Sequence, residues 1–131
     1  HSIELTCEIT CITLKITRSK YLYILGIYRT SSHLDTSIDM LADLLEDLQT
    51  QNNPILIMGD INIDSLKEHT DKIKFNELLA TYNLYRLTLP ATRITHNTAT
   101  SIDCVCTNIE QQDIEVEVVH TGLSDHTGQY C

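Results

Sequence analysis

Apolar and polar residues alternate from the start of the chain: Ile3, Leu5, Cys7 and Ile9 are separated by Glu4, Thr6 and Glu8, and Ile12, Leu14 and Ile16 repeat the scheme after a short break. A period of two marks a strand with one wet face, so two strands are predicted, over 3–9 and 12–16. Arg18-Ser19-Lys20 makes a turn. The stretch 21–28 is then almost wholly apolar and strand-prone, which predicts a central strand. Beyond the polar loop 30–33 the period changes. Ile38, Leu41, Leu45 and Leu48 are spaced three, four and three apart, an amphipathic helix of about four turns that Asp35 or Ser37 can cap. Gln51-Asn52-Asn53-Pro54 ends it. Strand, helix and strand in that order form a crossover unit, so 21–28 and 55–58 are expected neighbours in one sheet.

In the second half, Thr70 or Asp71 can cap another helix over about 72–82, with Ile73, Phe75, Leu78, Leu79 and Tyr82 as its apolar positions. A short apolar piece, 84–89, leads to Pro90. The stretch 91–101 is rich in Thr, Asn and His without an apolar period and reads as a surface loop. Residues 102–107 predict a short strand, and 114–119, where Glu115 and Glu117 alternate with Ile114, Val116 and Val118, a strand nearer an edge. The last residues look like the start of one more strand.

The chain is organised around 55–64, Ile-Leu-Ile-Met-Gly-Asp-Ile-Asn-Ile-Asp, where an apolar run stops on a glycine and polar side chains. A buried strand delivers functional groups to its end in this way. Gly59 lets the backbone turn tightly or approach a ligand, so Asp60 and Asn62 emerge where the strand leaves the core. An ordinary strand-end turn accounts for the same residues, because Asp and Asn favour turns for local reasons.

Composition narrows the choice. A chain of 131 residues that is 42% hydrophobic can bury a core and fits one domain or a large part of one. No apolar run approaches the roughly 20 residues a membrane helix needs, and the start lacks the features of a signal peptide, so the protein reads as soluble. The absence of an initiator methionine and a start almost inside a strand pattern suggest a piece of something longer. Eighteen acidic against nine basic residues give a formal charge of -9, which disfavours a general nucleic-acid binder and suits either a cation-dependent site or a merely soluble acidic surface. Cys7, Cys11, Cys104, Cys106 and Cys131 read as small core residues of a reduced, intracellular protein, nuclear or cytoplasmic. Cys104-Val-Cys106 lacks the second ligand pair of a zinc site.

Four strand ends therefore carry polar chemistry: Tyr28, then Asp60 and Asn62, then Asp103, then Asp125-His126. In open α/β sheets, strand ends are where ligands bind. Tyr-Arg after a strand, Gly-Asp-x-Asn after a helix and strand, Ser-Ile-Asp (101–103) before a hydrophobic pair and a closing Ser-Asp-His, in this order, resemble the endonuclease/exonuclease/phosphatase family. The spacing and the Ala-Thr-Arg-Ile-Thr segment look most like the endonuclease domains of non-LTR retrotransposons, which are similar to apurinic endonucleases. The resemblance spans nearly the whole chain but only the later part of the family domain.

The resemblance implies an α/β (α+β) fold, a partial four-layer sandwich of two sheets between helices, with residues 1–131 as one domain short of its N-terminal strands. It implies that Asp60 positions or activates the attacking water and Asn62 holds it or the phosphate. Asp125 would help bind a divalent cation, His126, held by Asp103, would meet the scissile phosphate, and Tyr28 would hydrogen-bond a phosphate oxygen. Such chemistry needs an oriented nucleophile, a cation to draw off charge and an imidazole fixed by a carboxylate. Mg²⁺, with Mn²⁺ as a substitute, is the expected ion, and DNA the expected partner once upstream residues complete the domain. Two departures stand out: Ile61 replaces the usual Phe, and the family's early Asn and metal-binding Glu are absent, with neither Glu4 nor Glu8 matching that motif. A non-catalytic remnant or interaction module of the same fold, and a phosphatase acting on another phosphoester, are the competing readings.

Overall fold

A five-stranded mixed sheet frames the fold, and the strand-helix-strand spacing described above accounts for the pairing of 21–29 with 55–60 within it. The computed structural model describes residues 7–30, 34–49, 51–94, 99–119 and 128–130. Strand β1 (Cys7–Lys15) and strand β2 (Tyr21–Arg29) form an antiparallel hairpin, and helix α1 (Leu34–Gln49) crosses to strand β3 (Ile55–Asp60), parallel to β2. Helix α2 (Thr70–Thr81), the short strand β4 (Tyr85–Arg86) and a small hairpin of β5 (Arg93–Ile94) and β6 (Ala99–Thr100) follow. Strand β7 (Asp103–Thr107) then runs antiparallel to both β3 and β4, giving the order β1-β2-β3-β7-β4. A last hairpin pairs β8 (Glu117–Val119) with β9 (Gly128–Tyr130).

Alternation divides the sheet into two faces. Tyr23, Leu25, Ile27, Ile55, Ile57, Cys104 and Cys106 point to the side on which both helices lie, meeting Leu41, Leu45 and Leu48 of α1 and Phe75, Leu78 and Leu79 of α2 in the main core. Leu56, Val105 and Leu89 occupy the other face, against which Ile114, Val116 and Val118 pack. The crossover and the buried stripe of α1 match the spacing that predicts them.

Several boundaries differ from the sequence expectation. The pattern over 3–16 suggests two strands, but residues 7–15 form one. The apolar phase changes at Thr10-Cys11 because the strand offers Cys7 and Ile9 to the helix face and Ile12 and Leu14 to the opposite one, where they remain exposed, as does Ile16 beyond the strand end. Asp35 and Ser37 lie inside α1, not at its cap. Helix α2 is capped by His69 without a side-chain hydrogen bond, and Thr70 is already helical. The stretch 91–101 is not wholly surface: it holds the β5–β6 hairpin, and Thr92 and Ser101 are fully buried. Cys7, Cys104 and Cys106 are buried free thiols, whereas Cys11 is exposed; Cys131 lies outside the described residues.

Candidate active site

Tyr28, Asp60 and Asp103 form a single row across the sheet: Tyr28 is the register partner of Asp60, and Asp60 of Asp103. Each closes the apolar alternation of its strand on the face shared by Leu56 and Val105, so three strands deliver polar groups to one level. Tyr28 is half exposed, Asp60 intermediate and Asp103 buried, 7% exposed. Glu8 of β1 pairs with Tyr28 and extends the row outward.

Gly59 makes this level possible. Its φ is +141°, and a Cβ built there would stand 2.0 Å from the Ile27 carbonyl oxygen. The parallel strands come together here only without a side chain.

Beyond Asp60 the chain turns sharply at Asn62, whose φ of 55° lies in the left-handed region that Asn tolerates better than most residues. The Asn62 amide donates to Asp60 Oδ1 at 2.9 Å and to the Ile102 carbonyl at 3.1 Å, so the turn that exposes Asn62 also fixes the Asp60 carboxylate. Ile61 and Ser65 amides donate to Ile102 and Ser101 carbonyls at 3.1 and 2.9 Å, and Asp64 Oδ1 accepts from the Ser101 and Leu66 amides at 2.9 and 3.0 Å. The turn 61–65 and the approach to β7 are therefore stitched together. Thr92 Oγ1 accepts from the amides of Ile102 and Asp103, both at 3.1 Å, and anchors Asp103 from the far side.

Two cations brace this unit from the helix side. Arg29, 3% exposed, donates from Nη1 to the carbonyls of Ile61 at 3.1 Å and Asn62 at 3.4 Å. Arg86 Nη2 donates to the carbonyls of Ile63, Ser101 and Asp103 at 2.9, 3.1 and 3.2 Å.

Of the six residues singled out by sequence, the structure brings Tyr28, Asp60, Asn62 and Asp103 together; Asp125 and His126 lie outside the described residues. Sequence reasoning missed Arg29, Asp64, Arg86 and Thr92. A signal existed for Arg29, which stands at the inward position after Tyr23, Leu25 and Ile27, and for Arg86, a charge within an apolar stretch. Thr92 lies in the Ala-Thr-Arg-Ile-Thr segment and Asp64 closes the stretch 55–64, but nothing in either stretch marks their bonding roles, which depend on tertiary proximity. Among the described residues no three His, Cys, Asp or Glu side chains converge to hold a metal ion. Among the described residues, no helix is long and apolar enough to cross a membrane.

The sequence model of the endonuclease-reverse transcriptase family matches residues 22–130. The fold is shared with solved structures, among them the two that follow. The endonuclease domain of TRAS1, a telomere-specific non-LTR retrotransposon, superposes with a TM-score of 0.78 at 14% identity, over 92% of this chain and 59% of that one. An endonuclease/exonuclease/phosphatase family protein from Leptotrichia buccalis C-1013-b superposes with a TM-score of 0.64 at 16% identity, over 92% of this chain and 50% of that one. The chain thus spans between half and three-fifths of these two proteins. No curated protein matches it by sequence.

Proposed function

Because the chain belongs to the endonuclease-reverse transcriptase family, we propose that it carries the later part of a divalent-metal-dependent phosphodiesterase domain whose reaction is the nicking of DNA. Its family and fold are those of endonucleases. The observation that supports the reading is the row Tyr28, Asp60, Asp103 with Asn62 on the adjoining turn.

In this reading Asp60, steadied by the Asn62 amide, orients the attacking water or takes its proton, and Asn62 holds that water or a phosphate oxygen. The half-exposed Tyr28 hydroxyl hydrogen-bonds a phosphate oxygen. Asp103, buried and braced by Thr92, suits a carboxylate that fixes another side chain, and its proposed partner is the His126 imidazole. Mg²⁺, or Mn²⁺ in its place, would supply charge neutralisation at the phosphate when bound, with Asp125 as the proposed carboxylate ligand. The two carboxylates of the row offer the hard oxygen chemistry such ions take, and among the described residues no third His, Cys, Asp or Glu joins them.

The test is nicking of supercoiled plasmid in Mg²⁺ at one fixed salt concentration, since phosphate binding is strongly salt-dependent. The 131-residue chain is compared with a longer protein that adds an upstream segment carrying the family's Asn and Glu, each beside a His126→Ala control. The longer protein is expected to nick DNA in a His126-dependent manner and the shorter one to be nearly inert. A folded longer protein that stays inert would favour the remnant reading.

A further inference from the structure

Arg86 meets backbone where a cation would ordinarily meet a carboxylate. One nitrogen, Nη2, donates to three carbonyls from two separate segments: Ile63 in the turn that carries Asp60 and Asn62, and Ser101 and Asp103 at the start of β7. No carboxylate of the described residues pairs with it. The guanidinium stands 5.8 Å from the centre of the Phe75 ring, which α2 buries almost completely, so the helix face sets where the cation can sit. Its strand position is paired with Cys106, one face away from Asp103. A cation bound to several carbonyls makes strong, charge-assisted bonds that fix their separation.

We propose that Arg86 is a positioning residue: it holds the turn 61–65 and the stretch 101–103 at a fixed separation, and thereby sets how Asp60 and Asn62 face Asp103. The kinetic consequence rests on the reading of this centre as phosphodiester-cleaving. The positional consequence does not.

Amide hydrogen exchange of the 131-residue chain reads the positional claim directly, through the four amides that cross between the two segments: Ile61, Asn62, Ser65 and Ser101. In Arg86→Lys, these four should exchange about 10- to 100-fold faster, the factor corresponding to one lost hydrogen bond to a charged group, while amides of β2 and α1 keep their protection. A purely structural role would accelerate all of them together. Arg86 lines a cavity of about 240 Å³ with Ser65, Leu66, Lys72, Asn76, Leu87 and Thr88, so ethylguanidinium has a route to the space left in Arg86→Ala and should restore protection of the four amides. In the longer protein, Arg86→Lys should lower kcat with KM within about twofold of the parent, the pattern of a lost transition-state arrangement.

Unchanged exchange at the four amides in Arg86→Lys, or acceleration spread evenly over the fold, overturns the proposal whatever the protein's activity. Altered exchange with unchanged kcat overturns the catalytic consequence. An inactive parent defeats the proposed function and leaves the exchange result to decide the role of Arg86.

Discussion

Asp60 and Asp103 face each other as register partners on the antiparallel strands β3 and β7, and Tyr28 flanks Asp60 from the parallel strand β2. Three segments far apart in sequence thus end at one level. The close approach at Gly59, the left-handed turn at Asn62 and the carbonyl contacts of Arg29 and Arg86 keep them there.

Gly59→Ala is expected to destabilise the chain by about 3 to 5 kcal/mol, among the larger effects of single substitutions. Its Cβ would sit 2.0 Å from the Ile27 carbonyl oxygen on backbone that cannot swing aside. Urea unfolding of the variant reads the loss; a midpoint equal to the parent's would mean that β2 and β3 are farther apart than described.

Asn62 separates backbone from side-chain contributions. Because its φ is 55°, Asn62→Gly keeps the turn, whereas Asn62→Ala adds roughly 1 to 2 kcal/mol of left-handed strain. Both keep the backbone amide that donates to Asp60 and remove the side-chain carboxamide proposed to hold water or phosphate. The expected result in the longer protein is equal loss of nicking by the two variants, with only the Ala variant clearly destabilised in thermal melts.

Leu45 is fully buried in the core that α1 and α2 share with the sheet. Leu45→Ala should cost about 2 to 5 kcal/mol through lost transfer energy and the cavity left behind. An unchanged denaturation midpoint would show that α1 does not cover the sheet with this face.

Burial pushes the Cys106 thiol well above the ordinary cysteine range, and the neighbouring Cys104 thiol adds to the effect. Unfolding returns it to about 8.5. The native chain then keeps a proton that the unfolded chain sheds, so this contribution to stability is complete below about pH 8.5 and is lost as the pH rises further. Urea midpoints should fall above that pH, and fall less steeply in Cys106→Ala. Iodoacetamide at neutral pH should label the exposed Cys11 in the native chain well before Cys104 or Cys106.

The elements set by periodicity were legible in the chain. The spacing of Leu41, Leu45 and Leu48 specifies the buried stripe of α1, and the run from Ile55 to Met58 specifies β3, because both depend on residues near in sequence. The order of Tyr28, Asp60, Asn62 and Asp103 along the chain also pointed to a common site. The phase change at Thr10-Cys11 was harder to read, since a break between two strands and one strand with two apolar faces leave the same pattern. The braces were the least legible part. Arg86 meets Ile63 and Asp103 through carbonyl oxygens, which every residue possesses, and Thr92 meets Asp103 through a backbone amide. No side-chain pattern marks such partners.

The central claim, that the level of Tyr28, Asp60 and Asp103 is the reactive centre, is tested most directly by Asp60→Asn in the longer protein. The substitution keeps size and an oxygen able to accept from the Asn62 amide but removes the charge that orients water or takes its proton. With an unchanged melting temperature, the plasmid-nicking rate in Mg²⁺ is expected to fall at least about 100-fold, the usual reach of a positioned acid–base group. Nicking within a few-fold of the parent by a folded Asp60→Asn protein would contradict the account.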